Sequence, residues 1–215
     1  MSKQFIAVVI VIIIGLFGIF ALTKKSNDGQ SGSGNTSAQA SEHKKGAGKK
    51  GATLIEYGDF QCPHCRTYYP LVKELEKAYG DDITIQFRHF PLTQAHPHAF
   101  EAARAAEAAG KQNKFFEMHD LLFENQGSWS QLTSVSDVFE GYAKQLGLDL
   151  QKFRTDKTSS QAADTINEDI EAGQAIGVNS TPTFILNGKK LDPTPSGVEA
   201  FKQAIDQAIQ EAQDQ

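Results

Sequence analysis

The chain has 215 residues, 40% of them hydrophobic, and a formal net charge of −5. Residues 51–215 hold 14 Lys and Arg against 24 Asp and Glu, a net charge of −10. That leaves little basic surface for a phosphate backbone and argues against nucleic acid as a partner. The only two cysteines, Cys62 and Cys65, stand in Cys-x-x-Cys spacing, so a closed zinc site would need two ligands from elsewhere.

In chain order, the first feature is the apolar run from Phe5 to Leu22. Its length reaches roughly 27 Å as a helix, against ~30 Å of bilayer core. Residues 1–22 therefore read as an N-terminal membrane anchor or a cleaved signal segment, and both readings stay open. A retained anchor is favoured, because no clean small-x-small cleavage site follows and the run exceeds the usual apolar region of a signal peptide. Lys3 lies before the run and Lys24 and Lys25 after it. Charge counting alone would keep the C-terminal part inside the cell, whereas thiol chemistry favours the outside, where disulfides persist. The expectation follows the chemistry: a single-pass cell-membrane protein with its domain on the extracytoplasmic side. Residues 23–50 read as a flexible polar linker, glycine-rich and ending in a basic patch at Lys44, Lys45, Lys49 and Lys50. Residues 51–215 suit one domain.

Within that domain, Thr53–Tyr57 is predicted as a buried strand and Cys62–Tyr79 as a helix with Leu71, Val72, Leu75 and Ala78 at helical spacing. Pro63 fits its first turn, where a missing N–H costs little. Ile83–Phe90 alternates as a second strand. Helices are predicted over 97–109, over 114–125, over 134–146 with Ser134 as a cap, over 149–153 and over 159–176. Thr183–Leu186 is a strand, and Asn187-Gly188 turns it into Lys189–Leu191. A last helix covers 197–210. The order is β-α-β, several helices, then β-β-α. This describes an α/β fold: a thioredoxin-like mixed sheet with a helical insertion between its two halves.

The chemistry concentrates at Cys62-Pro63-His64-Cys65. A thiol at a helix N-terminus meets backbone N–H donors and the positive end of the helix dipole, and both favour the thiolate. A second thiol one turn deeper can resolve a mixed disulfide. Cys62 is expected to be the more exposed sulfur, and His64, between the two, to favour the Cys62 thiolate as imidazolium or N–H donor. Glu56, six residues before Cys62, is a candidate proton relay to Cys65, against the plainer reading of a solvated or ion-paired carboxylate. A zinc site completed by His89, His96, His98 or His119 rests on residue type alone, and His96-Pro97-His98 reads as the start of a helix.

Three segments resemble DsbA-type thiol:disulfide oxidoreductases, in particular the membrane-tethered single-domain bacterial forms. They are Asp59-Phe60-Gln61-Cys62-Pro63-His64-Cys65, Arg88-His89-Phe90-Pro91-Leu92 and Gly177-Val178-Asn179-Ser180-Thr181-Pro182-Thr183-Phe184. The similarity covers about residues 48–212. The resemblance implies a cis Pro182 facing the cysteines, Thr181 presenting backbone groups to an extended substrate, an acidic residue at position 56, and redox tuning by Pro63-His64. It implies donation of the Cys62–Cys65 disulfide to exported proteins, with no cofactor beyond that disulfide and no metal. Reoxidation would come from a membrane quinone-linked partner. The alternatives are a disulfide reductase or isomerase on the same fold, or an anchored thioredoxin-like chaperone or binding module.

Overall fold

The computed structural model describes residues 41–214. The apolar run and residues 23–40 of the expected linker lie outside the described residues. A five-stranded sheet has the order β1-β3-β2-β4-β5, with β1 at His43–Lys45, β2 at Ala52–Gly58, β3 at Ile83–His89, β4 at Thr183–Leu186 and β5 at Lys189–Lys190. The β2–β3 pair is parallel and the other pairs are antiparallel, so the sheet is mixed. Helix α1, Pro63–Tyr79, makes the crossover between the parallel strands. Between β3 and β4 lie α2 (Ala99–Gly110), α3 (Phe115–Glu124), α4 (Gln126–Trp129), α5 (Ser136–Gln145), α6 (Leu150–Lys157) and α7 (Ser160–Ala175). Helix α8, Val198–Gln213, closes the fold. The expected thioredoxin-like α/β architecture with a helical insertion is present.

Strand alternation decides what reaches the site. Leu54 packs with Val72 and Leu75 of α1, Phe184 of β4, and Phe201 and Ile205 of α8. Glu56 lies two residues along β2, paired in register with Phe184, and so shares that face. Tyr57 points the other way, packing with Phe90, Val178 and Ile185 under α7. There Gly173 permits the close approach, since a Cβ would stand 2.9 Å from the Tyr57 ring. The largest core cluster joins the insertion to the active-site loop, with Trp129, Phe139, Phe153, Met118, Leu122 and Phe123 packed together with Phe60, Phe87 and both cysteines.

One boundary differs from the sequence expectation. Residues 41–50 are part of the fold rather than of a linker. His43, Lys44 and Lys45 pair with Phe87, Gln86 and Ile85 as an edge strand. Its glycines serve turns with positive φ, 77° at Gly46, 63° at Gly48 and 77° at Gly51. A Cβ at Gly46 would fall 2.1 Å from the Ile83 carbonyl oxygen. Lys45 pairs with Glu76, and Lys49 and Lys50 with Asp81 and Asp82, so the basic patch is matched by acid on α1 and the turn after it.

Ser41 is pinned by Asp169, which is fully buried. Asp169 Oδ1 accepts from Ser41 N at 2.9 Å, and Oδ2 accepts from the Ser41 hydroxyl and, at 2.9 Å, from His89 N. Asp169→Ala leaves the Ser41 and His89 backbone N–H groups buried without that acceptor and should destabilise the fold by about 2–4 kcal/mol, measurable as a lower urea midpoint. Two helix limits also differ. Helix α6 runs on to Lys157. Helix α5 starts at Ser136 behind a buried Val135 with no side-chain cap, so Ser134 is not the cap expected of it; the Ser136 hydroxyl accepts from Lys157 Nζ at 2.8 Å. The side-chain caps form instead at Asp149 and Ser159, which accept from the backbone N–H of Lys152 and Ala162.

Candidate active site

Cys62 is the N-cap of α1, extended at φ −69° and ψ 122°, with Pro63 in the first turn. Both cysteines are free thiols. The loop before them is tightly framed. Asp59 O accepts from Cys62 N at 3.1 Å, and Asp59 N points at Cys65 Sγ at 3.5 Å. The buried Asp59 carboxylate accepts from Gln61 N, Leu92 N and His96 Nδ1 at 2.7, 2.9 and 2.7 Å. Gln126, buried in α4, donates Nε2 to Phe60 O at 2.8 Å and Cys62 O at 2.9 Å. Gln61 donates to Ser130 O and accepts from His98 N. Two glutamines and an aspartate thus fix the nucleophile's backbone to the helical insertion.

Sequence reasoning assigned no role to Asp59, Gln61 or Gln126. Asp59 and Gln61 stood in a quoted motif, but their partners in the insertion and the loop before it are 33 to 69 residues away. The four residues of α4 are too few to show a period.

The two sulfurs sit in unlike surroundings. The Cys62 thiol donates to Thr181 O at 3.4 Å. A hydrogen bond from the Cys65 thiol, one from the Thr181 hydroxyl, and the N–H groups of Cys65 and His64 outweigh burial and bring the Cys62 pKa down to about 5. Burial pushes Cys65 well above the ordinary thiol value, helped by its bond to Cys62 and the nearby Glu56 charge. Glu56 is itself pushed up to about 8, first by burial and then by repulsion from Cys62 and Glu76. Its Oε1 is buried without a hydrogen-bond partner. The plainer reading of Glu56 as solvated or ion-paired does not hold here.

Cys62 is the more exposed sulfur, as expected, but both are covered: it is 4% exposed, against 0% for Cys65. The Thr181–Pro182 segment, with its cis peptide bond, lies against Cys62 and covers it. The Thr181 hydroxyl is buried and has no partner in the thiol state, which leaves it free to donate once Cys62 ionises. Thr181→Val removes that donor and should raise the Cys62 pKa from about 5 to roughly 6, read from thiolate ultraviolet absorbance against pH.

Pro63 and His64 are exposed. The backbone N–H of His64 supports the thiolate, while its ring makes no hydrogen bond or ion pair with the described residues. The other histidines diverge. His96 binds Asp59, His98 Nε2 approaches Leu132 O, His119 approaches Asp120 and His89 approaches Glu107. They do not gather around the cysteines.

The chain is similar to several known proteins. Residues 39–207 match the thioredoxin family model, starting about where the described residues start and earlier than the sequence resemblance implied. Among curated proteins, the chain is 40% identical over 168 residues to the Na(+)/H(+) antiporter NhaA 1 of Salinispora arenicola, covering 78% of this chain and 25% of that one. It is likewise 40% identical over 151 residues to NhaA 1 of Mycolicibacterium gilvum, covering 69% of this chain and 24% of that one. The chain thus spans about a quarter of the length of the curated relatives it matches. Among solved structures, oxidised BdbD from Bacillus subtilis superposes with TM-score 0.70 at 21% identity, covering 81% of this chain and 97% of BdbD. Alpha-DsbA1 from Wolbachia pipientis gives TM-score 0.69 at 22% identity, covering 79% and 91%. A parallel β-α-β unit, a paired thiol at the mouth of its helix and a cis-proline segment against the first sulfur agree with the match over residues 39–207: the chain belongs to the thioredoxin family, with a fold shared by DsbA-type proteins.

Proposed function

We propose that this protein is an extracytoplasmic thiol:disulfide oxidoreductase that donates its Cys62–Cys65 disulfide to exported proteins. The observation that carries this reading is the split between the sulfurs, with Cys62 lowered to about 5 and Cys65 raised well above the thiol norm. A client thiolate attacks Cys62 Sγ, and the Cys62–Cys65 bond breaks. Its electron pair passes to Cys65 Sγ, which takes up a proton because burial disfavours its charge. A second client thiolate then attacks the client sulfur of the mixed disulfide. Cys62 leaves as a thiolate already stabilised in its site, and the client holds the new disulfide. The protein is left as the dithiol, two electrons richer, and needs an external oxidant. A membrane quinone-linked partner is the class of reaction that fits.

Three further features support the setting. Phe5–Leu22 has the length and composition of a membrane anchor. The matched relatives are named as antiporters, so a segment like this one shares a chain with a membrane transporter. The large apolar side chains most exposed among the described residues are Leu132 and Ile176. Each lies on a segment leading to the site, Leu132 beside the Ser130 carbonyl that holds Gln61, and Ile176 just before the Thr181 loop. Equilibration with glutathione tests the direction of electron flow. The expected potential lies well above the ~−270 mV of thioredoxin and towards the ~−120 mV of strong oxidants. A value near the lower figure would make the protein a reductase.

A further inference from the structure

His43, His89 and Glu107 come from β1, β3 and α2 and meet at one point. Glu107 Oε1 lies 2.6 Å from His43 Nε2 and 2.8 Å from His89 Nε2, and the three ligand atoms all lie within 4.8 Å of one another. Glu107 is buried, and the two imidazoles are its only ion-pair partners among the described residues. No Lys or Arg among the described residues pairs with it. A buried carboxylate requires a compensating cation, either a proton on an imidazole or a metal ion.

Two observations favour the metal. Two imidazole nitrogens and one carboxylate form the donor set of open zinc sites, with one position left for water. The ring of His43 is held by stacking on Phe115, with centroids 3.3 Å apart, while its side chain keeps 18% exposure. It lines a surface cleft with Gly110, Asn113 and Phe116, which opens the His43 side of the cluster to solvent. On the other ring, Glu107 holds the proton on His89 Nε2 while no ion is bound, and ligation moves it to Nδ1, which is buried without a partner.

We propose that His43, His89 and Glu107 form a divalent transition-metal site, zinc by its donor set, that clamps the edge strand β1 to β3 and α2. The site is separate from the cysteines, and its presence does not depend on the redox reading.

The test uses the full chain with the Cys62–Cys65 disulfide formed, so that neither sulfur can ligate, stripped with a chelator and titrated calorimetrically with zinc chloride. The expected result is one zinc per chain, bound in the micromolar range or tighter, with a higher thermal midpoint. Because His43 lies on an edge strand, His43→Ala should stay folded and keep its disulfide exchange while losing zinc affinity by at least about tenfold. Absence of saturable uptake by the parent protein overturns the proposal and leaves a hydrogen-bonded triad. Uptake that His43→Ala leaves unchanged overturns it too, placing the ion elsewhere. Cobalt substituted for zinc should show the visible absorption of a tetrahedral site in the parent and not in the variant.

Discussion

Replacing Cys62 with Ser should lower the rate of disulfide exchange by at least about 1,000-fold, because a hydroxyl neither ionises near neutral pH nor exchanges disulfide bonds. Cys65→Ser should behave differently. It keeps the Cys62 thiolate but removes the group that resolves it, so a covalent complex with a disulfide-bearing client should accumulate and be visible on a non-reducing gel. A Cys65→Ser protein that forms no such complex would show that the covered Cys62 sulfur is not reachable by a polypeptide.

The same thiolate makes the reduced form pH-dependent. Its folded pKa of about 5 lies below the ordinary thiol value of 9.0. Between those values the unfolded chain holds a proton that the folded chain has lost, so stability rises with pH through this window. The gain shrinks as pH falls towards 5 and is absent below it. At pH 7, discounted for solvent screening, it amounts to about 1–3 kcal/mol favouring the dithiol. No such gain exists in the disulfide form, which should therefore melt below the reduced form near neutral pH. Equal melting temperatures would remove the driving force for an oxidant.

Glu56→Gln carries the second large effect. Its folded pKa of about 8 lies above the ordinary 4.5, the reverse of the usual carboxylate. Between these values the folded chain holds a proton that the unfolded chain has released, so stability falls as pH rises from about 4.5 to 8. The accumulated cost above pH 8 is of order 3–5 kcal/mol. Gln cannot ionise, so Glu56→Gln should flatten this part of the profile and be more stable than the parent at pH 8. It should also slow the steps in which Cys65 gains or loses its proton, since the carboxyl shares its buried surroundings. Denaturant unfolding at pH 5 and pH 8 separates the stability effect. Single-turnover client oxidation measures the kinetic one. Parallel profiles for parent and variant would mean that Glu56 titrates normally.

The fold was largely legible because its signals are local. The alternation of Ile83–His89, the helical spacing of Val72 and Leu75, the Asn187-Gly188 turn and the Pro in the first turn of α1 each follow from periods and turn chemistry within a few residues. The reach of the domain back to Ser41 was not legible. Ser41–Lys50 is polar and glycine-rich, and its order comes from Asp169, Glu76, Asp81 and the β3 edge, all far along the chain. Composition reports what a segment can bury by itself. It does not report the partners a distant segment will offer.

The site divides in the same way. Cys62, Cys65, Pro63, Pro182 and the acid at position 56 could be named from the chain, because two cysteines at fixed spacing before a helix can do only a few things. The chain also pointed to Cys62 as the thiolate. Tertiary structure decided that Cys65 and Glu56 are held towards their neutral forms, since their burial depends on packing from several elements. It also decided that Thr181 roofs Cys62, that Gln126 holds its carbonyl, and that His43 leaves the supposed linker to meet Glu107. Sequence fixes which groups can ionise, and the distances and dielectric surroundings made by the folded chain fix which of them do.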